Sequence, residues 1–406
     1  MATMTEAPMT AQRRTPDSTL LVLLVAVVLS AFSLRTAVTS ITPLLDRVSD
    51  DIRFGTGGAS VLGMVPTLMF SLAGIVTPRL VRRFGLEHVA LTAMVLAALG
   101  LLTRSFSTNV PALLLTSACA LAGMGIGNVV IPPVIQRFFP ERVAVLSTAY
   151  ITVLQVGTLV PPLVAVPLSQ AHGWRISLGV WAIAAIAAIV PWLVAILRRP
   201  GSDPHAVAPA HTTGRVWRSP VAWSLALMFG CTSLNTYAMF TWLPKILTGA
   251  GHDAAFGGTM VSLFAAVGLL SALFAPQLAA RLSNPAPIVV GSVVAFAIGF
   301  AGLLWAPDTA TVLWVIAAGL GPTTFPLALT LINLRTRTAA GSSALSGFSQ
   351  GVGYLIACAG PLLFGLLHDA TGGWGVPFAF LAVTVGVILV AGLRVSRPDM
   401  LEDTWG

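Results

Sequence analysis

A single arginine dominates the chemistry open to this chain. Arg35 lies about 15 residues into an apolar run, which at about 1.5 Å per residue sets it about 22 Å from the start of that run, within a hydrocarbon core about 30 Å thick. No other charged side chain is expected at that depth. Holding a guanidinium there costs at least about 2.5 kcal/mol, so such a group faces a cavity and finds a partner. The acidic residues nearest the membrane boundaries, Asp46, Asp50, Asp51, Glu87, Glu141, Asp253, Asp308 and Asp369, all sit at the ends of runs or between them. None is placed to neutralise Arg35 at its own level, so the missing negative charge can arrive with a ligand. The planar fork of guanidinium donors suits a small oxyanion or a similar group. The competing reading turns Arg35 outward or onto backbone carbonyls, with Asp369 as helper.

Neutral polar residues on other runs are expected to complete a pocket. Ser346, Gln350 and Tyr354 recur every four residues and therefore share one helix face. Thr148, Thr152 and Gln155 form a second stripe, Asn235 falls at nearly the depth of Arg35, and Asn128 lies in the inner part of its run. Their amides and hydroxyls can donate to an anion without adding charge. The alternative for each is an interhelical hydrogen bond, worth about 0.6 kcal/mol. Tyr237 and Trp242 read as packing or interfacial anchors as readily as gate residues. The histidines, His88, His172, His205, His211, His252 and His368, lie in connections or at run ends, and Cys119, Cys231 and Cys358 share no metal or disulfide spacing. With no phosphate-binding loop and no nucleophile–base pair, neither cofactor, metal nor enzymatic activity is expected.

The elements that must position these residues follow from composition. Of 406 residues only 9% are charged and 56% are hydrophobic, against roughly 25% charged in soluble domains, which excludes a water-soluble globule. Apolar stretches near 19–44, 57–80, 88–104, 110–135, 143–168, 175–197, 220–244, 257–280, 286–306, 310–333, 342–367 and 375–394 predict twelve membrane-spanning helices. The first is too long for a cleaved signal and is followed by eleven more. The net charge of +8 is carried between runs, where it acts as a topology signal rather than a nucleic-acid footprint. With the N-terminus inside, the inner segments hold most of the arginines, whereas the outer ones hold only Arg47, Arg53, Arg104, Arg175 and Lys245. The positive-inside rule thus predicts cytoplasmic termini.

The polar, Pro-rich stretch 200–219 reads as a cytoplasmic linker. It divides an N-terminal tail (1–18) and six-helix bundle (19–199) from a second bundle (220–394) and tail (395–406). The halves show weak similarity in a shared order. Gly57-Gly58, Ser71, Pro78 and Arg83 match Gly257-Gly258, Ser271, Pro276 and Arg281, and Pro161 and Trp174 match Pro361 and Trp374. Repeat-built transporters bind substrate near the bilayer midplane between their halves.

Three stretches carry a family resemblance: Ser33-Leu-Arg35-Thr-Ala-Val-Thr-Ser-Ile-Thr-Pro-Leu-Leu45, Thr241-Trp-Leu-Pro244, and Leu345-Ser-Gly-Phe-Ser-Gln350-Gly-Val-Gly-Tyr354 with Gly360-Pro361 and His368 through Trp374. On these the chain resembles the major facilitator superfamily and, within it, the cyanate and 2-nitroimidazole permeases. The superfamily signature after the second span is degenerate, since Arg82 stands where an aspartate is usual. The resemblance implies two pseudo-symmetric six-helix bundles in a bacterial inner membrane. It implies alternating access for a small anionic or polar solute, cyanate-like, with Arg35 as the anion-binding residue and an ion co-transported or exchanged, and a monomer. Efflux of neutral heteroaromatics such as 2-nitroimidazole is the alternative, and a membrane receptor or enzyme is the alternative of another class.

Overall fold

The computed structural model describes residues 17–198, 215–282 and 284–405. Arg13, Arg14, His205, His211 and most of the 200–219 stretch lie outside them. Among the described residues all regular structure is helical. The twelve expected runs appear as spans, four of them broken. Span 1 comprises Asp17–Ser33, Thr36–Ser40 and, after a 3-10 turn, Leu45–Ile52. Spans 2 to 5 are Thr56–Phe84, Leu86–Arg104, Val110–Phe138 and Val143–His172. Span 6 is split into Trp174–Gly179 and Ala182–Arg198. Spans 7 to 9 are Pro220–Gly249, Ala254–Arg281 and Ala286–Trp305. Span 10 is split into Thr311–Leu320 and Thr324–Leu334, span 11 into Ala339–Ala357 and Ala359–Thr371, and span 12 is Gly375–Ser396.

Among the described residues eleven spans are apolar and long enough to cross a membrane by length and composition alone. The remaining one, span 7, carries Ser, Thr, Asn and Cys along its length. It tolerates them because it is buried on nearly every side rather than facing lipid. Exposed Leu, Ile and Val side chains elsewhere, such as Leu21, Ile75, Leu115, Ile183 and Val390, give the outer surface the apolar character that lipid requires.

Packing within each half relies on bare backbone. A Cβ on Gly100 of span 3 would stand 2.2 Å from the Ala120 nitrogen of span 4, and one on Gly299 of span 9 would stand 2.4 Å from the Ala318 nitrogen of span 10. The same close approach thus recurs at corresponding helix pairs, as duplicated small-residue contacts would produce. At the end where the chain finishes, called here the near face, residues 397–405 fold back over the second half. Arg335 donates to the Val395 and Ser396 carbonyls, the Leu401 N–H donates to the Arg335 carbonyl, and the Arg215 N–H donates to the Trp405 carbonyl. Arg337 forms a bidentate pair with Asp403 at 2.5 and 2.8 Å, and Glu402 accepts from the Arg337 and Thr338 N–H groups and the Thr338 hydroxyl.

The opposite, far face is closed by contacts between the halves. Gly258 of span 8 packs so tightly on span 5 that a Cβ would lie 2.5 Å from the Pro162 carbonyl oxygen. Ser262 donates to the Leu159 carbonyl beside it. Gly63 of span 2 meets Thr241 of span 7 and Pro361 of span 11, and Gly365 of span 11 meets Ser60 of span 2. Toward the middle, Ser71 donates to the Gly351 carbonyl at 3.0 Å.

Candidate functional site

Arg35 is placed by a break in span 1. The helix stops at Ser33 and resumes at Thr36, leaving Leu34 and Arg35 as a turn with Arg35 at φ −125°, ψ −8°. Neither glycine nor proline causes it. Side chains and neighbouring spans satisfy the backbone instead: the Thr36 hydroxyl donates to the Ser33 carbonyl at 3.0 Å, and the Thr39 hydroxyl donates across to Thr158 of span 5 at 2.9 Å. Gly157 lets span 5 approach so closely that a Cβ would stand 2.1 Å from the Phe32 carbonyl oxygen. Irregular backbone at membrane depth is tolerated where protein or a cavity covers it, and both are present here.

The cavity is a chamber of about 1340 Å³ reaching from Arg35 to the near ends of spans 2, 4, 5, 8, 10 and 11. Among the described residues its lining includes Arg35 and, at the near rim, Arg337, but no aspartate or glutamate. Arg337 is paired with Asp403. Among the described residues the partners of Arg35 are neutral: its guanidinium donates to the Tyr237 hydroxyl, has the Tyr354 hydroxyl within reach and lies 5.0 Å from the centre of the Phe70 ring. A cation–π contact of this kind is worth about 0.5–2 kcal/mol depending on desolvation. Phe70 in turn meets Tyr237 and Tyr354 edge to face, at 6.4 and 5.7 Å between centroids.

Six of the seven residues expected at the site line this chamber: Arg35, Asn128, Gln155, Ser346, Gln350 and Tyr354. Gln350 donates to Ser346 at 2.7 Å, as their shared helix face predicts. Asn128 accepts weakly from the Tyr150 hydroxyl at 3.4 Å, which leaves its buried Nδ2 without a partner and free to donate. Asn235 is the exception. It is fully buried on another face of span 7, where Nδ2 donates to the Cys231 carbonyl at 2.7 Å and to Thr384 of span 12 at 2.9 Å. Position along span 7 sets its depth, but depth does not give azimuth. Two positions farther on, a turn of about 200° brings Tyr237 into the chamber instead.

Three other expectations need correction. Thr148 and Thr152 lie off the chamber face of span 5, which presents Ser147, Tyr150, Ile151, Leu154, Gln155 and Thr158. Asp369 is exposed and makes no ion pair with Arg35, removing its proposed helper. Nor is Arg35 alone at depth. Arg104, read as an outer-segment residue, curls inward from the far end of span 3 to 1% exposure and donates to the Ala37 carbonyl and the Ser40 hydroxyl, both at 3.2 Å. Glu87 is likewise buried, in the first turn of span 3, and does not reach the chamber. Trp242 is structural, its indole N–H bound to the Pro361 carbonyl. Among the described residues no cluster of His, Cys, Asp and Glu is arranged to hold a metal.

Comparison with known proteins places these features in a wider setting. Residues 27–358 match the model of the Major Facilitator Superfamily. A 2-nitroimidazole transporter of Escherichia coli is 32% identical over 380 residues, covering 93% of this chain and 96% of the relative. A cyanate transport protein of the same organism is 28% identical over 394 residues, covering 94% and 99% respectively. Among solved structures, a bacterial homolog to the human lysosomal transporter Spinster, in an inward-facing and unoccupied conformation, superposes with a TM-score of 0.73 at 14% identity. It covers 96% of this chain and 98% of that one, a likeness of fold.

Proposed function

Because the chain belongs to the major facilitator superfamily and is a transporter rather than an enzyme, we propose that its cargo is a small monovalent anion of the kind cyanate represents, bound at Arg35. The charge balance of the chamber carries this reading: Arg35 lines it, Arg337 is answered by Asp403, and no carboxylate stands among the lining residues. An arriving anion supplies the charge that the guanidinium lacks. Asn128, Tyr237 and the Ser346–Gln350 pair orient it from the surrounding spans. Binding stays weak enough for release because Tyr237 and the Phe70 ring keep the empty guanidinium partly satisfied.

Transport then proceeds by rocking the two six-helix halves about this midplane site, closing the near face as the far face opens. The protein sits in a bacterial inner membrane as a monomer. The bias of arginines toward the segments on the side of the termini supports a cytoplasmic near face, with the chamber opening inward. An inside-negative potential opposes anion entry by about 2.3 kcal/mol per charge at 100 mV. With no acid among the described residues that line the chamber, exchange or downhill flux is the coupling this reading favours.

One observation favours a second reading. Phe70, Tyr237, Phe240 and Tyr354 give the chamber ring faces on which a flat heteroaromatic such as 2-nitroimidazole can stack, with Arg35 bonding the nitro group. Counterflow of labelled cyanate in proteoliposomes separates the two. Competition by nitrate, thiocyanate and formate but not by 2-nitroimidazole supports the anion. Competition by 2-nitroimidazole alone, or no cyanate flux, supports the aromatic solute.

A further inference from the structure

Beyond the wall of the chamber lies a second, smaller cavity that nothing in the transport cycle above uses. Its volume is about 20 Å³, room for one water molecule, and it is enclosed by the far half of span 1 with spans 2, 3, 4 and 7. Val38, Tyr237 and Phe240 line both spaces, so these side chains are the partition between them. Among the described residues no acidic side chain lines the smaller cavity. Two polar groups that do line it are buried yet incompletely bonded: Arg104, 1% exposed, whose Nε has no partner, and Ser117, 3% exposed, whose hydroxyl has none. Donors buried with their bonds unmade are costly to hold, and a ligand that accepts from them removes that cost. Arg104 anchors to Ala37 and Ser40, which lie roughly 3–8 Å beyond Arg35 along span 1.

We propose that Arg104 and Ser117 form a second anion site, the first one reached from the far face, from which a cyanate-sized anion passes to Arg35. In the state described here the site is collapsed to the size of a water molecule. Tyr237 and Phe240 belong to span 7, in the half that separates from span 1 when the far face opens, and their departure uncovers the Nε of Arg104 and the Ser117 hydroxyl. The anion arriving there meets a cation whose Nε–H is free to donate. The competing account is purely structural: Arg104 clasps the segment after the break in span 1 and thereby positions Arg35.

The proposal rests on the anion reading above, and the test separates the two. Counterflow of labelled cyanate is measured in right-side-out and inside-out membrane vesicles, which present the far and near faces respectively. Ser117→Ala raises half-saturation on the far face about fivefold, the cost of one hydrogen bond, and leaves the near-face value unchanged. Arg104→Lys raises the far-face value about tenfold or more by losing the fork of donors. Ser40→Ala, which removes a clasp contact but leaves the guanidinium, moves neither value more than about twofold. Equal shifts on both faces, a silent Ser117→Ala, or an Arg104→Lys effect reproduced by Ser40→Ala overturns the second site and leaves Arg104 a positioning residue. Wild-type vesicles that carry neither cyanate, nitrate, thiocyanate nor formate overturn the anion reading and this site together.

Discussion

Replacing Arg35 with alanine separates binding from stability in a way that only a ligand-facing cation permits. The bound anion loses a charge-assisted hydrogen-bonding partner worth about 1.5–3 kcal/mol, which is about 10- to 150-fold in affinity. The unliganded protein loses the bond to Tyr237, of similar size, and the Phe70 contact, worth about 0.5–2 kcal/mol. Against these stands relief from holding a lone cation at mid-membrane, at least about 2.5 kcal/mol. The terms nearly cancel, so Arg35→Ala leaves unliganded stability within about 2 kcal/mol of wild type while cyanate binding collapses. Arg35→Lys keeps the charge but gives up the planar fork, and its affinity falls by about tenfold. Thermal unfolding in detergent, with and without cyanate, reads both quantities, and counterflow reads transport. Two results refute the reasoning: wild-type half-saturation in Arg35→Ala, or a variant destabilised by several kcal/mol without ligand, which would make the guanidinium a structural keystone.

Three further outcomes follow from particular contacts. Gly258→Ala sets a methyl against the Pro162 carbonyl, a cost of about 1–3 kcal/mol confined to the far-closed state. It shifts the balance toward the far-open state about five- to 150-fold, read as slower thiol labelling of Ser147→Cys at the near mouth in a background without native cysteines. Asn235→Ala lowers stability by about 1–3 kcal/mol through the bonds to Cys231 and Thr384, and leaves half-saturation for the solute unchanged, as calorimetry and counterflow check. The tail responds to acid. The Arg337 guanidinium holds the Asp403 carboxyl below the usual carboxylate range, while burial pushes Glu402 up but its own N–H, the N–H groups of Arg337 and Thr338 and the Thr338 hydroxyl outweigh it, leaving that carboxyl lowered too. A lowered carboxyl stabilises above its unfolded value and loses that contribution as pH falls through the folded one. The strap is therefore constant from neutral pH down to about 5 and releases only below about 4, seen as hydrogen exchange in residues 397–405.

Much of this was legible in the amino-acid sequence because membrane burial leaves a strong signal. Twelve apolar runs mark the spans, and one arginine too deep in such a run points to the chamber that the candidate site occupies. The four-residue spacing of Ser346, Gln350 and Tyr354 gave a face, since helical period fixes relative azimuth along one span. What the chain could not declare was azimuth between spans. Asn235 and Tyr237 share a depth, and only packing against span 12 decides which of them meets the chamber. Arg104 escaped for a related reason: a long flexible side chain at a span end reaches water or folds inward with equal ease. The carbonyl of Ala37 that draws it inward is 67 residues away in sequence. The break at Leu34 was hidden as well, because neither residue of the turn is a helix breaker and the bonds that replace the missing ones come from Thr36 and span 5.

The seam at the far face has a consequence for how this carrier meets its surroundings. Among the described residues the ion pairs, Arg175–Asp51, Arg337–Asp403 and Arg394–Asp399, each stay within one half. The surfaces that must part during a cycle are instead mostly glycine, proline carbonyl and hydroxyl, with one cation, Lys245, reaching only the neutral Thr56 hydroxyl at 3.5 Å. Dissolved electrolyte, which damps charge over about 8 Å at 0.15 M, therefore has almost nothing to weaken in the latch itself. A cell whose ionic strength swings widely can run such a gate at an unaltered rhythm, with any salt effect falling on capture of the passenger alone.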